Sequence, residues 1–462
     1  MKPRRLLYAL AWAAAAVIVG GPPAYRQLFP EPTHYASDVE HFKYGSVGVE
    51  AASGLPYKVW RAMPGVCMPP GQREAGYRAF GFQWEPGRAT PIGMPLERAL
   101  VDRVGVNCAM CHVGRVETAS GPRLLVGAPN TTLDLQAYLR FLFKCASSDA
   151  FTADAVFAEN RRLGHGLSAP EQLFYRALII PQVRAALREQ QRQLAFMDAQ
   201  PDWGPGRASG FQPAKVQILK QPDDGALDIV DIPPLWNLAL RDGGGLHWDG
   251  VNTSAHEVFL NSGIGNGASA ASVNVASLER MERWARDLPS ARYPWPVQAA
   301  LARQGEGIFQ QACAECHAVG GARLNQVIPV SWTGTDRNRL DAFTPETRDA
   351  FLGATSYRWR YSHFRKTGGY VAAPLDGVWA RAPYLHNGSV PTLAALLSPP
   401  AERPVTFRRG GTAYDTARVG FLDAGPWTYD TRLPGNGNGG HLWGAALPPP
   451  DRQALLEYLK TL

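Results

Sequence analysis

Sulfur is scarce in this chain. Six cysteines and seven methionines are spread over 462 residues, and no methionine follows Met281. Six cysteines are too few for a disulfide-dense scaffold of this length, and the C-terminal part has no thioether to offer a metal. Clustered positive charge is absent too. The net charge is +7, but the arginines are scattered and form no basic stripe, so no nucleic-acid partner is expected. No tandem repeat of solenoid length appears. The glycine-rich stretches Gly243-Gly244-Gly245 and Gly263-Ile264-Gly265-Asn266-Gly267 do not follow a strand in a β-α-β pattern, which argues against nucleotide binding. Hydrophobic residues make up 45% of the chain, enough for ordinary cores, and the length suggests two or three domains.

Four of the cysteines are concentrated in Cys108-Ala109-Met110-Cys111-His112 and Cys313-Ala314-Glu315-Cys316-His317. Each is a C-x-x-C-H, the pattern that attaches a c-type haem. Two thiols one turn apart add to the two vinyl groups of one porphyrin, and the next residue offers an imidazole to the iron. A redox pair or half a zinc site would not need the following histidine. Cys108, Cys111, Cys313 and Cys316 are therefore read as the attachment points of two covalently bound haem c groups, with His112 and His317 as proximal ligands. No zinc set remains once these cysteines are assigned.

The N-terminus, Met1-Lys2-Pro3-Arg4-Arg5, precedes an uncharged run from Leu6 to Tyr25. A basic start and an apolar stretch read as an export signal. The Gly20-Gly21-Pro22-Pro23 ending is a poor cleavage context, so an uncleaved inner-membrane anchor is favoured over a cleaved signal. Either way the body is expected on the periplasmic or extracellular side. In that oxidising compartment the two leftover thiols, Cys67 and Cys145, are expected to pair.

The 47 glycines and 38 prolines predict extensive loops wrapped around cofactor. The expected fold class is mainly α with extensive loops: two cytochrome-c-type haem domains after an N-terminal membrane anchor or signal helix. Helices are expected over Leu96–Val104 leading into Cys108, over Thr132–Lys144 with Thr131 or Thr132 as N-cap, within Ala169–Gln193 and over Met281–Leu288. The run Leu288-Pro289 to Pro294-Trp295-Pro296 breaks the last of these. The expected units are 1–28 as the signal or anchor segment, 29–292 as the N-terminal haem domain and 293–462 as the C-terminal one. In the last unit Gly305 and Phe309 should meet Leu455 and Tyr458 on crossing first and last helices.

The sixth iron ligands follow by elimination. With no Met after Met281, the second haem takes a His or nothing, and the imidazoles beyond His317 are His363, His386 and His441. His441 ends Gly435-Asn436-Gly437-Asn438-Gly439-Gly440, a loop able to approach a haem closely, and is preferred. His386 is the alternative, and can instead hydrogen-bond a propionate. His363 reads as a surface or propionate neighbour, and Arg365 and Lys366 as propionate partners. Between His112 and His165 there is no His or Met, and His165 reads as solvated. The first haem is therefore expected to be five-coordinate, or weakly ligated by water or dioxygen.

Leu246-His247-Trp248-Asp249-Gly250 and Arg381-Ala382-Pro383-Tyr384-Leu385-His386-Asn387-Gly388-Ser389-Val390-Pro391-Thr392-Leu393 resemble the bacterial dihaem cytochrome c peroxidase superfamily. The rubber-oxygenase-type dihaem cytochromes are more closely resembled, through His41-Phe42-Lys43-Tyr44-Gly45, Asn107 to His112, Gly334-Thr335-Asp336, Arg339-Leu340-Asp341, Arg365 to Tyr370 and Gly435 to His441. The resemblance implies that Trp248 relays electrons between the haems and that His441 is the distal ligand of the second. Peroxidases of the superfamily place a Gln and a Glu after W-D-G where this chain has Val258 and Ala268. Losing a positioned acid/base costs peroxide cleavage about a hundredfold or more. Rubber oxygenases cover the first haem with an apolar pocket that includes a Phe, at whose place Gly263 or Ile264 stands here.

The resulting expectation is an exported haem oxidoreductase. Dioxygen or peroxide chemistry would take place at an open first haem, served by Trp248, Gly263 and Ile264, and electrons would be held at a second, bis-His haem. The alternatives are a non-catalytic periplasmic electron-transfer cytochrome and a cytochrome c peroxidase. Expected partners are an electron donor or acceptor, protein or small molecule, an apolar substrate, and the inner membrane through the N-terminal segment.

Overall fold

The computed structural model describes residues 33–98, 101–354 and 359–462. The expected signal or anchor at 1–28 lies outside the described residues, among which no helix is long and apolar enough to cross a membrane. Helices of 4 to 14 residues alternate with two-stranded antiparallel ribbons and one three-stranded sheet.

The helix Leu135–Ser147 organises the N-terminal core. Asp134 caps it, accepting from the Ala137 amide at 2.9 Å, so the cap lies beyond the expected Thr131 or Thr132. Asp134 supplies the carboxylate cap, while the Thr132 hydroxyl is engaged with the Gly81 carbonyl at 3.0 Å. The inward face, Tyr138, Leu142, Phe143, Cys145 and Ala146, is buried and packs with Val183 and Leu187 of Ile180–Gln193. Cys145 is bonded to Cys67, with their Cα atoms 5.4 Å apart.

The helix expected over Leu96–Val104 does not form. Leu96–Glu97 and Arg103–Val104 are strands, and Arg103–Val104 pairs with both Leu96–Glu97 and Leu55–Pro56. A proline before this stretch, a glycine after it and valines at 101 and 104 favour extended backbone over helix. Immediately after His112 the chain forms a hairpin, Val113–Thr118 with Gly121–Val126. Successive strand residues face opposite ways. Val113 enters the cluster of Phe42, Ala109, Phe259 and Leu278, whereas Val116 and Leu125 enter a cluster with Trp236, Phe309, Trp379 and Leu455.

The second motif sits on crossed helices. In Ala299–Ala312, Gly305 faces the last helix, Pro449–Leu459. A Cβ at Gly305 would strike the Ala454 carbonyl and lie 2.9 Å from Tyr458 Cβ, so only glycine permits this approach. Phe309 and Tyr458 pack beside it with ring centroids 5.1 Å apart, and Leu455 is fully buried. The core of this half includes Val116, Leu125, Ala128 and Trp236, so residues on both sides of position 292 share it. Buried polar bonds also cross that position: Arg409–Asp231 at 2.6 Å and Arg207 Nη1 to Asn436 at 2.7 Å.

Candidate haem-binding sites

Both C-x-x-C-H motifs wind through the same single turn. In the first, the Cys111 and His112 amides donate to the Cys108 carbonyl at 3.2 and 3.0 Å; in the second, Cys316 and His317 donate to Cys313 at 3.2 and 3.0 Å. That turn brings the two thiols to one side and sends the imidazole off its end. All four thiols are free. Burial pushes Cys108 up to about 11, Cys111 up to about 12 and Cys313 up to about 11, so these thiols stay protonated and uncharged in apolar surroundings. Asn107 fixes the first turn. Its Oδ1 accepts from Ala109 at 2.9 Å while its amide donates to the carbonyls of Phe42 and Gly45.

The two motif histidines have different backing. His317 Nδ1 donates to the Ala373 carbonyl at 2.7 Å, which leaves Nε2 as the lone-pair nitrogen, the tautomer a metal needs. For His112, burial is the main influence and pushes the imidazole down to about 4. The Pro233 carbonyl opposes this, but Nδ1 lies outside good hydrogen-bond geometry with any described group.

Opposite His317 stands His441, with ring centroids 6.3 Å apart. Two metal–imidazole bonds of about 2.0 Å, plus about 1.1 Å from each nitrogen to its ring centre, add to about 6.2 Å. The spacing and the donor set therefore fit an iron held between the rings. The loop that delivers His441 is pinned. Its amide donates to the Thr333 carbonyl at 2.6 Å, Arg403 reaches the Asn438 and His441 carbonyls, and Asn387 donates to Gly435 and Gly437. His441 Nδ1 is buried without a partner, and burial first, then His317, hold its imidazole at about 4.

The remaining sequence candidates are engaged elsewhere. His386 is buried and stacked on Tyr370, centroids 4.0 Å apart. Tyr370 donates to the Asp336 carbonyl, so its oxygen accepts from His386 Nε2 at 3.0 Å. Arg365 Nε donates to Gly250 at 2.8 Å, and Lys366 Nζ to Leu340. His363 binds Glu257 at 2.7 Å. Burial opposes that carboxylate, but the bonds from His363, Ser362 and Asn252 hold it below its usual range. Gly263 and Ile264 are buried in Ala255–Gly265. A Cβ at Gly263 would lie 2.9 Å from Leu278, so this glycine serves a helix contact. The Trp248 indole donates to the Asp231 carbonyl at 2.8 Å, and the Asp231 amide donates to the His386 carbonyl.

One imidazole near the first motif is not among the sequence candidates. His165, the first histidine after His112, is exposed. The fold instead brings His247 within electrostatic reach of His112. The glycines at 243–245, just before it, are the available signal, since His441 also follows glycines.

Residues 369–408 match the family described as RoxA-like, cytochrome c-like. This segment is thus similar to the RoxA-like cytochrome c family. It contains His386, Asn387 and Arg403, and so includes side chains that brace the His441 loop. A cytochrome c-like segment implies covalently bound haem c. The chain is also similar to two uncharacterized proteins of Sinorhizobium fredii (strain NBRC 101917 / NGR234). It is 31% identical to y4iM over 284 residues, covering 50% of this chain and 64% of that protein. It is 28% identical to y4iJ over 496 residues, covering 84% of this chain and 81% of that protein. The chain thus spans less than two thirds of the length of the first of these.

Proposed function

We propose that the protein is an exported dihaem c-type cytochrome oxidoreductase. The reading is carried by the 6.3 Å pairing of His317 with His441 beside a second C-x-x-C-H of the same backbone geometry. Haem c attached at both motifs would supply reversible one-electron chemistry and, where an axial position is accessible, dioxygen or peroxide binding. Cys108, Cys111, Cys313 and Cys316 would hold it covalently. His317, oriented by the Ala373 carbonyl, and His441, held by Thr333 and Arg403, close the second site and exclude water and small ligands from it. His112 supports the first. Trp248, anchored through Asp231 to the segment bearing His386, is the proposed relay between them.

In the catalytic form of this reading, dioxygen or peroxide reacts at the first site. Val258 and Ala268 at the acid/base places favour dioxygen. A second reading, an electron carrier with both sites closed, is favoured by the position of His247. The test is the haem content of the full chain and the spin state of each ferric haem. Two haem equivalents per chain, falling to one in Cys313→Ala/Cys316→Ala and in Cys108→Ala/Cys111→Ala, are expected. A single haem in the wild-type protein refutes the proposal. Turnover of peroxide with a reduced cytochrome c donor, or consumption of dioxygen, separates enzyme from carrier.

A further inference from the structure

The loop from Leu246 to Val251 is tied down at nearly every residue. Leu246 donates to Asn252 at 2.8 Å, and the Trp248 carbonyl accepts from Val371 at 2.8 Å. The Asp249 carboxylate meets Arg339 at 3.2 Å, with both side chains buried, and its carbonyl accepts from Thr367 at 2.6 Å. The Gly250 carbonyl accepts from Arg365 Nε at 2.8 Å and the Val251 carbonyl from the Arg365 amide at 2.8 Å. His247 is the exception: its ring is not hydrogen-bonded to any described residue. It is also held at φ 61°, in the left-handed region that histidine enters more readily than most side chains.

His441 shares each of these features. It follows glycines, sits at φ 49°, leaves Nδ1 unbonded and faces the histidine of a C-x-x-C-H motif. His441 stands 6.3 Å from His317 between ring centroids, and the fold brings His247 within electrostatic reach of His112. The His247 ring is half-buried. The loop is distant from the first motif in sequence, but it is fastened next to it: Trp248 is bonded to Asp231, two residues before the Pro233 carbonyl that faces His112.

We infer that His247 is the sixth ligand of the haem attached at Cys108 and Cys111, standing across from His112 as His441 stands across from His317. The inference rests on the proposed haem site at the first motif. The first site is then closed in the resting protein, and a small exogenous ligand binds only by displacing His247. The chain carries two bis-histidine haems, and its default activity is electron transfer.

Electron paramagnetic resonance of the ferric, haem-loaded full chain tests this. Two low-spin signals are expected in the wild-type protein. In His247→Ala one equivalent becomes high-spin and binds cyanide at least tenfold faster, while the other is unchanged; His441→Ala converts the opposite equivalent. His247→Met should restore a low-spin haem with a sulfur-to-iron charge-transfer band. A wild-type high-spin signal that disappears in Cys108→Ala/Cys111→Ala overturns the inference without any variant at position 247. So does a His247→Ala protein with both haems present and both low-spin. A wild-type chain with fewer than two haems instead refutes the dihaem reading, and that result is seen in haem content before any spin state is measured.

Discussion

Replacing Asp231 by Ala should be among the most destabilising single changes in the chain. Asp231 and Arg409 are 2.6 Å apart with side-chain exposures of 2% and 1%. Arg409 also donates to the Gly388 carbonyl at 3.0 Å, and its Nε already lacks a partner. Removing the carboxylate leaves a guanidinium buried without a counter-charge, at a cost of about 3–5 kcal/mol. Against a typical total of about 5–15 kcal/mol, this is a large share. Replacing both groups, Asp231→Leu with Arg409→Met, removes the stranded charge and should recover most of the loss. A remainder of about 1–3 kcal/mol is expected, because the buried Gly388 carbonyl loses its donor. The measurement is urea unfolding of the haem-loaded protein followed by far-ultraviolet circular dichroism, since a non-ionic denaturant does not screen the pair. If the single variant costs under about 1 kcal/mol, or the double variant is no more stable than Asp231→Ala, the pair does not carry the cross-chain contact as argued.

Glu50 is fully buried, bonded to Ser46 through one oxygen and unpartnered at the other, and burial raises it from 4.5 to about 7. The folded state holds this proton more tightly than the unfolded state. Its stabilising increment is therefore complete below pH 4.5, fades as pH rises to 7 and is absent above, a swing of roughly 3 kcal/mol. Glu50→Gln should gain stability over wild type at about pH 8 and match it near the unperturbed carboxyl value, and a pH-independent difference in thermal unfolding would refute this. For the two haems, the His317–Ala373 hydrogen bond makes His317 the more basic ligand, whereas the Pro233 carbonyl approaches His112 outside good hydrogen-bond geometry and the Arg339 cation lies near His247. The haem on Cys313 and Cys316 should therefore have the lower potential. A redox titration in which Cys108→Ala/Cys111→Ala removes the lower-potential wave would contradict the assignment.

Much of the fold is legible in local pattern. Gly305 and Phe309 can be placed against Leu455 and Tyr458 because helical spacing fixes which residues share a face, and the Cys67–Cys145 pair emerges because only two thiols remain once the motifs are assigned. The stretch Leu96–Val104 misleads because its apolar spacing suits a helix, while its strand depends on Leu55 and Pro56, far earlier in the chain. The hairpin after His112 is hard to read although Ser120-Gly121 marks its turn. Its two faces enter different clusters, so no single alternation of apolar and polar residues runs along it. For the same reason the break near 288–296 resembles a domain boundary in the sequence, whereas Val116 and Leu125 on one side pack with Phe309 and Leu455 on the other.

The sites divide along the same line. The Cys-x-x-Cys-His motifs stand out because one turn of backbone contains all of their chemistry, and the pairing of His441 with His317, 6.3 Å apart, agrees with a composition argument in which the missing methionines leave few candidates. The ligand opposite His112 yields to neither argument. Elimination near the motif finds no imidazole, which suggests an open iron, but a distal ligand belongs to whichever loop folds over the haem. The loop that bears His247 is anchored by Asp231, Val371, Thr367 and Arg365, groups far apart in sequence and joined only in the fold. Absence of a ligand near a motif therefore carries weight only when the chain cannot return to it. In this chain it brings His247 within reach of His112, with a backbone in the same left-handed region as His441. The two motif histidines do differ in their backing, by the well-formed hydrogen bond from His317 to Ala373 against the poorly aligned approach of the Pro233 carbonyl to His112.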